Sequence, residues 1–182
     1  MPVDLYQPFT NPITGETFKC ISYSPESYVM EWALAPKGYV PFEHIHYYQD
    51  EIFYVESGRL KLKVEGKEHI LNPGEQFTVP MGAAHVAENN GDETLKCIVS
   101  YNPGSDYYTF SQCFIGLQYD GEYNKKGQIN VPKMAYFIHA TKCKALARPT
   151  TIPKLAFKFV VPFFGVIGSV AGWNKQLARY ID

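Results

Sequence analysis

The sequence predicts an all-β fold, an antiparallel barrel or sandwich, with a helical extension at its C-terminal end. Short stretches rich in β-branched and aromatic residues recur at regular intervals up to about Tyr101, with turn residues between them. Aromatics make up 15% of the chain, with fourteen Tyr and twelve Phe, which suits a barrel with a lined cavity. Beyond about residue 130 the apolar period lengthens from two residues to that of a helix.

Taken in order, Thr17–Ser24 and Tyr28–Ala35 read as strands parted by Pro25-Glu26. Ile52–Ser57 and Leu60–Val64 flank Gly58, and Leu60, Leu62 and Val64 alternate with Lys61 and Lys63. That alternation marks a strand with one buried and one wet face. Glu65-Gly66-Lys67 turns the chain into His69–Leu71, Asn72-Pro73-Gly74 turns it into Phe77–Val79, and Asn89-Asn90-Gly91-Asp92 precedes Leu95–Tyr101. In the tail, Pro132–Ala147 spaces Met134, Phe137, Ile138, Thr141 and Ala145 as a helix does, with Arg148-Pro149 as its stop. Phe159–Trp173 is the most apolar stretch, broken by Pro162, Gly165, Gly168 and Gly172. As a helix, about fifteen residues would cover roughly 22 Å of a bilayer core about 30 Å thick. The expectation is helices packed on the barrel or on a partner subunit, with a membrane-surface or re-entrant segment over 159–173 as the alternative. The organisation expected is a barrel over 1–110 and an extension over 111–182.

Two blocks are spaced as a metal site would be. Gly38 is followed after five residues by His44-Ile45-His46, then Glu51 and Gly58; Gly74 is followed after five by Pro80-Met81-Gly82, then His85 and Asn89. On a strand, His44 and His46 point to one face, as a chelating pair must, and His85 shares its face with Ala87 and Asn89. With Glu51 turned inward, Phe53 and Val55 follow it. Three imidazoles and a carboxylate suit Fe, Mn, Ni, Cu or Zn as divalent ions. Asp50 and Glu43 read as solvated loop carboxylates, with orientation of a ligand imidazole as the alternative; His69 reads as facing solvent, and His139 as a surface or interface residue.

Both blocks match the two signature motifs of the cupin superfamily at every fixed position, and the resemblance covers roughly residues 28–102. The resemblance implies a cupin-type antiparallel barrel or jelly roll of six to eight strands, with His44, His46, Glu51 and His85 holding a divalent metal inside it. It does not imply one reaction, because function belongs to the site and not the fold. Three His and one Glu leave one or two positions open on such a metal. The expectation is a metal-dependent enzyme, a quercetinase-like dioxygenase acting on a small organic substrate, aromatic or otherwise flat. A metal-dependent isomerase or lyase and a non-catalytic binding or sensing module are the alternatives. Glu51 is then either a ligand or a catalytic base that leaves the metal.

A formal net charge of −1 gives no footprint for nucleic acid. The opening Met1-Pro2-Val3-Asp4 has no basic start or apolar run, and Cys20, Cys97, Cys113 and Cys143 are widely spaced without a CxxC pair. A cytoplasmic protein with reduced thiols is expected from these. The apolar tail block leads to the expectation of a homodimer.

Overall fold

The computed structural model describes residues 2–145 and 147–181. Its strands form two antiparallel sheets. The first runs in the order β1 (Phe9–Thr10), β2 (Glu16–Tyr23), β3 (Tyr28–Leu34), β10 (Leu95–Asn102), β5 (Asp50–Ser57), β8 (Gln76–Val79). The second runs β11 (Ala147–Pro149), β4 (His44–His46), β9 (Ala84–Glu88), β6 (Leu60–Val64), β7 (Lys67–Leu71). Each sheet turns one face inward. Tyr28, Met30, Trp32 and Leu34 of β3 meet Leu95, Cys97, Val99 and Tyr101 of β10 and Leu60, Leu62 and Val64 of β6 in one core.

The turns sit at the glycines and prolines of the two blocks. Gly58 adopts φ +79°, and a Cβ there would fall 2.7 Å from the Leu95 Cα, so only glycine closes the β5–β6 turn against β10. The loop before β9 is fastened to the first block: the Gly82 N–H donates to the His46 carbonyl at 2.7 Å and the Met81 N–H to Asp50 Oδ1 at 2.7 Å. Asp50 is therefore a half-buried strap between the two blocks, on strand β5 and not in a loop.

The helices depart from the expectation in two places. Helix α1 (Tyr107–Tyr119) was not foreseen, because its many aromatic and β-branched residues favour a strand and its apolar residues make only a weak helical stripe. It covers the open side of the barrel with Tyr107, Phe110 and Phe114. The expected Pro132–Ala147 helix ends early: α2 spans Val131–Thr141, capped at its start by Asn130 and at its end by Lys142 in the left-handed conformation. The chain after α2 is held by Asp106, whose carboxylate accepts from the Lys144 and Ala145 backbone N–H groups. It then enters β11, which pairs with β4, Ala147 opposite His46 and Pro149 opposite His44. Arg148 belongs to that strand, with its Nε donating to the Tyr47 hydroxyl at 2.6 Å.

Helices α3 (Lys154–Val170) and α4 (Asn174–Leu177) complete the chain, α3 lying along α2. His139 on α2 is exposed but its ring seats against Gly165 of α3. His69 is half-buried, not solvent-facing, because its register opposite Leu62 turns it to the inner side, where its ring meets Phe77 at 4.4 Å. All four cysteines are buried and free. Among the described residues no helix is long and apolar enough to cross a membrane.

Candidate metal centre

Strand parity brings the four candidate ligands together. His44 stands opposite His85 in the β4–β9 ladder, so both rings leave the same face, and His46 follows two residues on. Glu51 enters from the other sheet at the start of β5, with Phe53 and Val55 behind it as expected. One ligand atom from each of His44, His46, Glu51 and His85 lies within 4.8 Å of the other three. His46, Glu51 and His85 are buried and His44 is half-buried.

Backbone carbonyls set the tautomers of two imidazoles. His44 Nδ1 donates to the Phe42 carbonyl at 3.2 Å and His85 Nδ1 donates to the Ala83 carbonyl at 3.0 Å. Each bond turns Nε2 inward, toward the other ligand atoms at His44 and toward Glu51 Oε2 at 2.7 Å at His85, the orientation of a metal-binding histidine held by its other nitrogen. His46 is buried with no hydrogen bond at either ring nitrogen, its Nε2 lying 3.5 Å from Glu51 Oε2. A buried polar atom without a partner is costly, and a metal ion is the partner this donor set suits.

The charges fit the same picture. Burial alone would raise the Glu51 acid, but the charge of His85 and the contacts with His46 and His85 hold it well below its ordinary value. Burial, together with the neighbouring His85 and His46, keeps His44 well below the usual histidine range and hence neutral. Burial works against the His85 cation, yet the Glu51 charge and their 2.7 Å hydrogen bond raise it. An ionised carboxylate that draws a proton to its neighbour would draw a dication in the same way.

Sequence reasoning did not single out Tyr101 and Tyr107. The Tyr101 hydroxyl donates to Glu51 Oε1 at 2.7 Å, and its ring stacks on Tyr107 at 3.8 Å. Tyr101 sits opposite Glu51 in the β5–β10 ladder, a pairing that only the register reveals. Asn89, by contrast, is buried but outside the centre: its Nδ2 donates to the carbonyls of Leu34, Ala35 and Glu93 and locks a turn. Gln49, just before β5, is buried with neither side-chain amide atom hydrogen-bonded.

The centre opens into a cavity of about 80 Å³ walled by Trp32, Phe42, Phe53, Tyr107, Phe110 and Phe114, with Ala147 of β11 on its rim. The family model described as "Cupin domain" matches residues 30–101, the stretch that carries all four clustered residues. Residues 30–101 thus form a cupin domain. Cupins are often metal-dependent enzymes, and this domain has a cluster that could hold a metal ion. Among curated proteins it is 31% identical over 61 residues to the polyketide synthase CurC of Streptomyces cyaneus, 34% of this chain and 40% of that protein. It is 31% identical over 74 residues to an uncharacterized protein of Methanocaldococcus jannaschii, 40% of this chain and 59% of that one. The chain thus spans less than two thirds of either. Among solved structures it is similar to a sugar phosphate isomerase from a cupin superfamily of Silicibacter pomeroyi, at 25% identity and a TM-score of 0.46 over 50% of this chain and 60% of that one. It is also similar to KdgF from a Halomonas species, at 24% identity and a TM-score of 0.47 over 52% and 85%.

Proposed function

We propose that this cupin is a metal-dependent dioxygenase of the quercetinase-like kind, acting on a small, flat, oxygen-bearing organic molecule. The observation that carries the reading is the cluster of three imidazoles and one carboxylate that lines an aromatic-walled cavity. When bound, a redox-capable divalent ion would supply dioxygen chemistry at positions left open by His44, His46, Glu51 and His85.

The chain's own residues do the rest. The Phe42 and Ala83 carbonyls hold the His44 and His85 rings with Nε2 turned inward. Tyr101 fixes the rotation of the Glu51 carboxylate. The aromatic walls exclude water and accept a flat ring. At about 80 Å³ the cavity is about three times the roughly 30 Å³ share of one liquid water, the scale of a single ring and well short of a three-ring flavonol. The match to a protein named as a polyketide synthase is in keeping with an oxygenated carbon skeleton.

A second reading is favoured by Glu51 itself. An ionised, buried carboxylate oriented by Tyr101 is equipped to take a proton from a carbon beside a carbonyl, the step of an isomerase or lyase. Purified protein loaded in turn with Fe, Mn, Ni, Cu and Zn, and followed with an oxygen electrode against single-ring phenols, β-diketones, short oxo-acids and flavonols, separates the two. Oxygen uptake with single-ring substrates exceeding that with flavonols is the expected result. Substrate loss without oxygen uptake would move the assignment to the isomerase or lyase, and inertness with every metal would remove both.

A further inference from the structure

The cavity that meets the metal cluster also holds an acid that neither sequence block contains. Glu16, the first residue of β2, is 4% exposed and lines the same space as the cluster, between Phe18, Met30 and Trp32. Its direction is set by register: it stands opposite Leu34, which points wholly into the core. Its carboxyl group touches two side-chain donors, Thr14, whose hydroxyl reaches Oε2 at 3.1 Å, and the Trp32 indole. Among the described residues no ion pair includes it. Burial pushes this acid up to about 8 against the pull of those two hydrogen bonds, and the Glu51 charge adds to the rise. A buried acid that keeps its proton needs an acceptor for it, and what faces the acid here is the cavity.

We propose that Glu16 is a substrate-recognition residue that presents its carboxylic O–H to an oxygen acceptor on the flat molecule whose reacting end meets His44, His46, Glu51 and His85. The assignment rests on the proposed function only for the kind of molecule that fills the cavity. It selects substrates with an uncharged carbonyl or ether oxygen placed away from the metal end, and it disfavours a second carboxylate there only once Glu16 has ionised. Its pH dependence can be isolated. The other titratable groups on the walls are Tyr28 of β3, His44 and His46 of β4, Glu51 of β5, His85 of β9, Tyr101 of β10 and Tyr107 of α1. Burial holds the three tyrosines above their ordinary value, and the remaining groups belong to the metal cluster.

The test uses two neutral probes of equal shape, acetophenone and α-methylstyrene, the first with a carbonyl where the second has a methylene. Binding to the full chain is measured by calorimetry at pH 6.5 and pH 9.5. The wild-type protein is expected to prefer acetophenone roughly 5- to 10-fold at pH 6.5, the size of one hydrogen bond, and to lose that preference at pH 9.5. Glu16→Gln keeps an N–H donor that cannot ionise, so its preference is expected to persist at both values. A wild-type preference that ignores pH overturns the proposal without any variant. A preference lost equally in Glu16→Gln would trace to His85 and overturn it as well. Equal binding of both probes at pH 6.5 removes the role of Glu16 while leaving the cavity and the metal reading in place. Binding of neither probe removes the small-molecule cavity together with it.

Discussion

Strand β10 and helix α3 are both rich in large apolar residues, and they put them in opposite places. Strand β10 has a neighbour on each edge and a core on one face, so Leu95, Cys97, Val99 and Tyr101 are all buried. Helix α3 turns its glycines to the protein instead. A Cβ at Gly165 would fall 2.4 Å from the His139 ring and one at Gly168 only 2.3 Å from Tyr136, so close approach to α2 demands small residues on that side. Leu155, Phe159, Phe163, Val166 and Val170 are left outside, Val170 at 87% exposed. Apolar content therefore predicts burial only where the fold offers a facing surface of matching depth.

The contrast can be broken first at the metal end of the barrel. Changing His46 to Ala removes one of four converging ligands and should lower metal affinity by at least about 100-fold, since loss of an outer-shell partner alone costs 10- to 100-fold. Circular dichroism should stay near native, because the core of β3, β6 and β10 holds the fold. Metal content measured after loading and desalting is the check, and an unchanged value would break the assignment.

A second substitution measures the core side of the comparison. Leu62 is fully buried in β6, so Leu62→Ala should destabilise by about 2–5 kcal/mol, read from denaturant unfolding. A cost under about 1 kcal/mol would mean that the barrel wall collapses into the space.

Next comes the effect of pH on that core. The folded state holds the Glu16 proton up to about 8, from an ordinary value of 4.5. Its contribution is fully present below pH 4.5, and stability is lost as pH rises from there through about 8, because the folded state binds the extra proton over that window. Glu16→Gln should therefore be more stable than wild type at pH 9 by a few kcal/mol and close to it at pH 4. Parallel unfolding curves across pH for both proteins would contradict the burial argument. Glu51 works in the opposite sense, stabilising above its ordinary value and losing that contribution as pH falls below it.

Much of this was legible in the sequence because β-structure has a period of two. Once His44 and His46 share a face, Glu51 brings Phe53 and Val55 inward and Gly58 marks the turn, so one block of residues yields both the wall and the centre. What stayed hidden depends on register and on contacts distant in sequence. Tyr101 meets Glu51 across a ladder fifty residues long in sequence. Glu16 looks like any polar residue after a Thr-Gly turn until Leu34 is set opposite it. Arg148-Pro149 signalled a helix stop, yet the same residues pair with β4 and close the barrel beside the cluster. Helix α1 was obscured because its tyrosines and phenylalanines carry the composition of a strand.

The smallest effect on stability, and the sharpest test of the contrast, lies on the outer face of α3. Phe159, Phe163, Val166 and Val170 follow one another at intervals of four, three and four, the spacing of a seam between paired helices. An apolar stripe of that length is more than a monomer usually leaves in water. The expected cover is the same stripe of a second copy about a twofold axis, which would bury it symmetrically. In that arrangement Phe163→Ser costs the isolated fold little, within about 0.5 kcal/mol as for other exposed positions, but it should shift light scattering of the full chain from dimer to monomer. A full chain that is monomeric before the substitution would sink the pairing. Recovery of the full chain only with detergent or vesicles would assign the stripe, flanked by Lys154 and Lys158, to a lipid surface instead.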